Sequence, residues 1–292
     1  MAEENKGMKK KLLLCVVLAL LCSMAAAAQD AKPQPLTFWY EYSINPGKEA
    51  QFLELVKTVG APVRDKLMAD GVINAWGVET PLLRMPGGAT HVVWYSVNDW
   101  SGVEKVDAAM RAQIAKLDEE AAKGGATKKG GAAAAGVSAR MMEIADVSKT
   151  RDYLTRNLVF VTGATMPAAG TLPFERFNYV KVKPGKGGEF RKVWEKYNKP
   201  VLDKLVADGV VLAYGLAVEE VRTDGDFTHF VWYVTKDLAG MEKVRNTFTA
   251  DRDKRSQDEQ DAIRAAFVNV LDVDASRSDV DRFLVFRLPG MK

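Results

Sequence analysis

The chain contains an internal repeat with an offset of 138 residues, and this repeat limits the possible folds more than any other feature. Between residues 46 and 106, 27 of 61 positions are identical to the residue 138 positions later, without a gap. The identical blocks include Ala-Asp-Gly-Val at 69–72 and 207–210, Pro-Gly-Lys at 46–48 and 184–186, and Val-Trp-Tyr at 93–95 and 231–233. Such a match indicates a tandem duplication.

The ends of the two copies match at a shorter offset of 126 residues, where Leu-Val-Phe at 158–160 aligns with 284–286. The first copy therefore carries 12 additional residues. We place them in the Gly/Ala/Lys tract at 121–136, which is typical of a flexible loop. The domain boundaries that follow are a first α+β repeat at 36–162, a Gly/Ala/Pro-rich linker at 163–173 and a second repeat at 174–288.

Each copy is predicted to have the order β-α-β-β-α-β, the ferredoxin-like unit. Apolar residues recur at helical spacing after the Pro-Gly turn, and Pro62 and Pro200 are expected to make this helix kink or restart. A four-stranded sheet with helices on one face leaves its other face uncovered. We therefore predict an α+β fold in which two tandem ferredoxin-like repeats form an intramolecular pseudo-dimeric barrel, and a monomer with an internal pseudo-two-fold axis.

Residues 1–28 have the pattern of a signal peptide. Three lysines at 9–11 precede an apolar run at 12–24, and three alanines at 26–28 offer a cleavage site. The run is shorter than the roughly 20 residues of a bilayer span, which favours cleavage over an uncleaved anchor. A lipoprotein signal is disfavoured because Leu21, which is not small, precedes Cys22. We predict export to the periplasm or the medium, without stable membrane insertion after cleavage.

The composition excludes several kinds of site. Cys15 and Cys22 both lie in the predicted signal, so the rest of the chain has no thiol for a disulfide, a nucleophile or a metal site. Two histidines are few for a zinc site, and no metal site is predicted. No long basic run follows the signal, so nucleic acid is not an expected partner.

The Pro-Gly-Lys turn, the helix containing Phe52 or Phe190, the Ala-Asp-Gly-Val junction and the Thr-His-x-Val-Trp-Tyr strand resemble the dimeric α+β barrel superfamily. This superfamily includes antibiotic-biosynthesis monooxygenases, EthD-like and NIPSNAP-like proteins. The resemblance covers nearly the whole chain after the signal, as a fused pseudo-dimer. It implies the barrel fold but no single activity, because members include cofactor-free oxygenases, haem-handling enzymes and proteins of unknown role.

Both histidines of the chain, His91 and His229, occupy the same position of the repeat. On an extended strand His91 shares a face with Tyr95, and His229 shares one with Tyr233. If this face lines a cavity between the sheets, these four are candidate ligand-binding or catalytic residues, with histidine as proton carrier. Alternatively, the histidines cap a strand end and bond to neighbouring loops.

Charged residues supply the remaining candidates. Arg84 and Arg222 lie at the second hairpin of each copy, where they serve as rim salt bridges or as ligand contacts. Glu41 and Glu79 have no acidic counterpart in the second copy, so a general base, if present, is expected in the first copy, with Glu41 as a candidate. No cofactor is predicted, and haem ligation by a histidine is a minor alternative that the superfamily permits.

The sequence thus predicts an exported protein that binds a small apolar or aromatic molecule between its two sheets. The alternative is a cofactor-independent oxygenase or isomerase that resembles the antibiotic-biosynthesis monooxygenases. A purely structural barrel filled with side chains is the third possibility. An open, histidine-lined cavity favours the first two, whereas a packed interior favours the third.

Overall fold

The structure is a computed structural model that describes residues 34–84, 87–125, 135–164, 171–223 and 227–288. The chain from Gln34 onward forms one compact unit. The signal predicted at 1–28 lies outside the described residues. In the described part, no helix is both long and apolar enough to cross a membrane.

The first half begins with a strand and a helix that changes its winding near Pro62. A π-helical turn, Val56–Gly60, joins α1 to α2, and Pro62 lies in the first turn of α2, where its missing N–H is tolerated. This is the restart that the proline predicted. The elements are β1 (Leu36–Tyr42), α1 (Glu49–Leu55), α2 (Ala61–Ala69), β2 (Ile73–Pro81), β3 (His91–Val97), α3 (Trp100–Gly125), α4 (Val137–Ile144) and β4 (Arg151–Thr162).

The second half has helices with well-defined starts. The Asp237 side chain accepts a hydrogen bond from the Gly240 N–H at 2.8 Å, and Ser256 and Glu259 form a capping box that begins a new helix. The elements are β5 (Phe174–Val182), α5 (Gly187–Tyr197), α6 (Lys199–Ala207), β6 (Val211–Glu219), β7 (His229–Thr235), α7 (Leu238–Asp253), α8 (Gln257–Val270) and β8 (Leu271–Arg287).

The strands of the described residues form one closed antiparallel barrel in the order β1-β3-β2-β8-β5-β7-β6-β4, and β4 returns to β1. The long strands β4 and β8 close it. Early residues of β4 pair with β1 and later residues pair with β6, so that Phe160 lies opposite Gly215. β8 pairs with both β5 and β2. The predicted α+β class and closed barrel are confirmed at this level.

Alternate residues of each strand face either the helices or the barrel interior. On β3, Val93 and Tyr95 pack beneath the helices, whereas Trp94 points into the barrel. Two apolar clusters therefore lie between the sheet and the helices, around Phe52 and Phe190, and a third cluster occupies the barrel. Side chains fill most of the barrel interior.

Gly77 and Gly215 make room for two tryptophans inside the barrel. Gly77 lies opposite Trp94, and Gly215 lies opposite Trp232. A Cβ atom at Gly77 would lie 2.9 Å from the Trp94 indole, and one at Gly215 would lie 2.5 Å from the Trp232 indole. Each indole therefore lies flat across the neighbouring strand, which fixes which face of β3 and β7 points inward.

The structure differs from the sequence prediction next to the Gly/Ala/Lys tract. Helix α3 continues to Gly125, so the first five residues of the loop predicted at 121–136 are helical, and residues 126–134 lie outside the described ranges. Helix α4 was not predicted. Strand β4 ends at Thr162 and β5 begins at Phe174, and residues 165–170 of the linker between them are also outside the description.

Candidate functional site

The two histidines lie beneath helices and not inside the barrel. The His91 ring centroid is 5.0 Å from that of Phe52 in α1, and the His229 centroid is 5.4 Å from that of Phe190 in α5. Each Nδ1 is hydrogen bonded to the hydroxyl of the preceding threonine, at 3.1 and 3.0 Å. Burial lowers the pKa of both imidazoles to about 4. The sequence left open which face of the sheet these histidines occupy, and the structure places them on the helix side, where their contacts fit a structural position.

The other predicted ligand residues are also placed outside the barrel interior. Tyr95 is almost fully buried beneath the helices, and Tyr233 packs at the edge of the second outer cluster. Arg84 is exposed, with its Nη2 atom 3.9 Å from Glu49 Oε1, and Arg222 is exposed in the loop after β6. The tyrosines lie outside the barrel interior because side chains alternate along a strand, and the tryptophan between each His-Tyr pair occupies the inner face.

Four carboxyl groups among the described residues are buried inside the barrel. They belong to Glu41 on β1, Glu79 on β2, Glu175 on β5 and Asp281 on β8, and none is more than 7% exposed. Comparison of the two copies had singled out Glu41 and Glu79. These positions, unlike the histidines, lie where a molecule between the sheets would be.

Sequence reasoning missed Glu175 and Asp281, although a signal for them existed. The positions aligned with them in the first copy are Thr37 and Thr155, so each acid replaces a neutral residue. The same comparison that identified Glu41 would have identified these two. Each of the four acids thus has a neutral residue at the position aligned with it in the other half of the chain, and the barrel has one acidic end.

The acids come together where β2, β8 and β5 are neighbours. Asp281 lies opposite Glu175 in the β5–β8 pair and opposite Pro81 in the β2–β8 pair. The side chains of Glu79 and Glu175 are hydrogen bonded to each other, and the Trp94 indole N–H donates to Glu79. A hydrogen bond between two carboxyl groups requires that one of them holds a proton.

Burial raises the pKa values of these groups. The pKa of Glu79 rises to about 8, through burial first and the charge of Asp281 second. Burial and then the charge of Glu79 raise the pKa of Glu175 well above its usual value. Burial, followed by the charge of Asp279, raises the pKa of Asp281 to about 7. At neutral pH the Glu79–Glu175 pair is thus protonated, and Asp281 is divided between its two forms.

Two small adjoining cavities contact the carboxyl groups. The deeper one has a volume of about 20 Å³, and its walls are mainly aromatic: Trp39, Tyr153, Phe177, Tyr179 and Phe230. The outer one has a volume of about 30 Å³ and lies under the loop after β2. Both are lined by Glu41, Val92, Tyr179 and Asp281. Each has room for about one water molecule.

Arg277 of β8 covers the outer cavity. Its guanidinium carbon lies 4.0 Å from the ring centroid of Tyr179 and 5.4 Å from that of Phe227. Its Nη2 atom lies 3.6 Å from Asp279 Oδ2. A molecule larger than water must therefore displace Arg277 or Tyr179 to reach the carboxyl groups. The interior is acidic and aromatic, and it is closed in this conformation.

The described part of the chain has no arrangement of side chains suited to binding a metal ion or a haem iron. No group of three or more His, Cys, Asp or Glu side chains there is arranged to hold a metal ion. His91 and His229 contact phenylalanine rings and line neither barrel cavity, so they do not fit an axial haem ligand.

A wider groove, with a volume of about 620 Å³, lies on the surface between α5, α6 and α7. Its charged residues include Lys196, Lys204, Lys243 and Arg255, and it holds none of the buried carboxyl groups. Surface lysines are well solvated, whereas buried carboxyl groups reduce the stability of the fold. Perturbed ionisable groups of that kind indicate function, so we assign the candidate site to the barrel.

No family model matches the chain, and no curated protein matches its sequence. Solved structures do match its fold. A proposed monooxygenase from Fusobacterium nucleatum superposes with a TM-score of 0.57 at 13% identity, covering 89% of this chain and 96% of the other. A proposed monooxygenase from Lactobacillus acidophilus superposes with a TM-score of 0.55 at 10% identity, covering 88% of this chain and 97% of the other. An anthrone oxidase-like protein superposes with a TM-score of 0.52 at 12% identity, covering 90% of this chain and 96% of the other.

At these identities the similarity shows the fold alone. The neighbours share the α+β barrel fold that the sequence motifs implied.

Proposed function

We propose that the protein is exported and binds a small aromatic or apolar molecule carrying an amine, at the acidic end of its barrel. The observation that carries this proposal is the burial of Glu41, Glu79, Glu175 and Asp281 among aromatic side chains. A carboxylate buried without a cation is costly, and a protonated amine supplies the missing charge. The aromatic walls suit the same ligand because ammonium groups are attracted to ring faces.

Positive charge is scarce around the acids. Arg277 and Arg151 lower the pKa of Glu41, yet burial still outweighs them. The Glu79–Glu175 pair receives hydrogen bonds and no ion pair from the described residues. The cluster is therefore rich in acceptors and poor in cations, and an ammonium ligand complements it.

Proton linkage gives this binding mode a pH dependence. The acids are held partly protonated by burial, and an ammonium ion binds their ionised form. Affinity is therefore expected to rise as the pH increases through the pKa of about 7 of Asp281. A neutral ligand would show no such rise.

The proposal includes the duplication and the export that the sequence predicts. Strands β1–β4 and β5–β8 occur with their helices in the same order, which supports two ferredoxin-like repeats in one pseudo-dimeric barrel. Cleavage before Gln29 is tested by N-terminal sequencing of protein recovered from the periplasm of an exporting host. Uncleaved protein retained in the cytoplasm would contradict export.

Calorimetry with benzylamine as probe tests the site. Benzyl alcohol is the neutral control ligand. We expect saturable benzylamine binding that Asp281→Asn weakens about tenfold, because a charge-assisted contact is lost. Asp274→Asn, an exposed acid on the same strand, should leave it unchanged. Equal binding of the alcohol and the amine would refute the amine proposal, and no binding of either would favour a structural barrel.

Asp281 also supports a second candidate function, proton-transfer catalysis. A carboxyl group with a pKa of about 7 beside a cavity can accept a proton from an acidic C–H at neutral pH. Isomerisation needs only the return of that proton to another carbon. A second possible reaction is the oxidation of one anthrone by one O₂ to anthraquinone and water, which also begins with removal of a proton from carbon. One structural neighbour is an anthrone oxidase-like protein. Oxygen uptake with anthrone that is lost in Asp281→Asn would favour the enzyme.

A further inference from the structure

Arg64 of α2 is a buried cation without a counter-ion. Its side chain is 6% exposed, and it forms no ion pair or hydrogen bond with any described residue. Its Nε atom is buried without a partner, and its guanidinium carbon lies 5.7 Å from the Trp76 ring centroid. The adjacent acid, Asp65, accepts a hydrogen bond from Trp76 instead. Buried arginines are ordinarily paired, so this one lacks an anion.

The backbone provides a place for this guanidinium. A Cβ atom at Gly60 would lie 2.3 Å from Arg64 Nη1, so the guanidinium rests directly against the Gly60 backbone. Gly60 ends the π-helical turn Val56–Gly60. A larger residue at this position would displace the arginine, and π-helical turns occur frequently at functional sites.

The second half of the chain shows that the fold does not need a cation here. Leu202 is aligned with Arg64 and is 2% exposed in the corresponding apolar cluster. Asn198 is aligned with Gly60. Because leucine fills the aligned position, packing alone does not account for Arg64.

Three tyrosines lie around the guanidinium on the helix side of the sheet. Tyr40 and Tyr42 come from β1 and Tyr95 from β3, and the charge of Arg64 acts on all three. The Tyr95 hydroxyl is buried and interacts with the hydroxyl of Tyr40. Tyr40 and Tyr42 are half-buried, so both side chains are partly accessible to solvent. A buried cation without an anion therefore lies beside three tyrosine hydroxyl groups.

We propose that Arg64 and the hydroxyl groups of Tyr40, Tyr42 and Tyr95 bind the carboxylate of a small aromatic or apolar acid. The guanidinium fork matches a carboxylate, and tyrosine hydroxyls donate hydrogen bonds to its oxygens. One buried cation balances one negative charge, which favours a carboxylate over a phosphate dianion. The apolar cluster beneath the helices, which Met110 packs against, suits the rest of the ligand.

This site is separate from the acidic end of the barrel. Its tyrosines face the helices, whereas Glu41 and Trp94 on the same two strands face the interior. The two ligands carry opposite charges, so each proposal can fail without the other. Benzoate is therefore the probe here, with benzyl alcohol and inorganic phosphate as comparison ligands.

Titration calorimetry of benzoate into the purified protein is the test. We expect one benzoate per chain, with weaker binding of benzyl alcohol and phosphate. Arg64→Leu, which copies the aligned leucine, should abolish saturable binding, and Arg64→Lys should weaken it about tenfold, because the fork is lost. Arg245→Leu, which removes an exposed arginine of α7, should bind benzoate like the unmodified protein.

Circular dichroism establishes that each variant is folded, and Tyr95→Phe provides a second variant if Arg64→Leu is not. Tyr95→Phe should weaken benzoate binding and leave benzylamine binding unchanged, while Asp281→Asn should leave benzoate binding unchanged. The proposal is overturned if the unmodified protein does not bind benzoate at millimolar concentration, if folded Arg64→Leu binds it equally well, or if Tyr95→Phe has no effect.

Discussion

Trp94 donates its indole N–H to Glu79 inside the barrel, whereas Trp232, at the aligned position, has a buried indole N–H without an acceptor. The difference lies in one residue, because Ala217 stands where the first copy has Glu79. Both indoles otherwise lie across a glycine of the neighbouring strand. The same aromatic frame therefore carries an acid at one end of the barrel and none at the other.

Replacement of Trp94 and of Trp232 by phenylalanine is expected to reduce the stability of the protein by different amounts. Trp94→Phe loses ring volume and leaves a buried carboxyl group without its donor, whereas Trp232→Phe loses ring volume alone. We expect Trp94→Phe to lower the free energy of unfolding by about 1–3 kcal/mol more than Trp232→Phe does. Urea unfolding of both variants at neutral pH measures the difference. Equal losses would show that the Trp94–Glu79 contact contributes nothing to stability.

Gly77 is expected to be irreplaceable by alanine. The added methyl would overlap the Trp94 indole at 2.9 Å, and the ring has little room to move in a filled barrel. Gly77→Ala should destabilise the protein by about 1–3 kcal/mol. Gly188→Ala in α5 is the control, since a Cβ there meets nothing within 4 Å. The control should be neutral or stabilising by up to about 1 kcal/mol, as expected for a helical glycine.

Much of the fold could be predicted from local sequence signals. The Pro-Gly turns, the apolar periodicity and the aspartates before α3 and α7 are local, and Asp99 and Asp237 do accept hydrogen bonds from Gly102 and Gly240. The extent of β4 and β8 could not be predicted in this way. Their length depends on pairing with strands of both halves, which is a long-range interaction.

The sequence predicts the site less well than the fold, because it does not show which face of β3 and β7 points into the barrel. The pattern His-x-Val-Trp-Tyr predicts which residues share a face of the strand, but it does not predict which face lies inside the barrel. That choice depends on Gly77 and Gly215, which accept the indoles from a neighbouring strand. Arg64 gave no signal because an arginine in a helix is ordinary until its burial is known.

The buried histidines are expected to stay neutral in mildly acidic solution. Burial lowers the pKa of His91 and His229 to about 4, whereas unfolded histidine titrates near 6.5. The unfolded state therefore binds more protons between these values, and stability falls as the pH drops through this range. The chain has two histidines, so NMR titration of their ring protons resolves both. A midpoint near 6.5 in the folded protein would contradict burial of that ring.

The carboxyl groups predict a change of stability with pH in the opposite direction. Burial raises the pKa of Glu79 from 4.5 to about 8, so the folded state holds more protons than the unfolded state between these values. The contribution of Glu79 to the free energy of unfolding is therefore largest below the unfolded pKa, and it falls as the pH rises through about 8. Above about pH 7 histidines are neutral in both states, so the acids can be observed separately.

Glu79→Gln isolates this effect. The amide keeps an acceptor oxygen for the Trp94 N–H and removes one titrating group. Between about pH 7 and 9 the free energy of unfolding should fall less steeply than in the unmodified protein, by up to about 1.4 kcal/mol per pH unit. Glu104→Gln, an exposed glutamate of α3, should keep the original slope. Urea unfolding across this range measures both variants, and identical slopes would mean that Glu79 is ionised in the folded barrel.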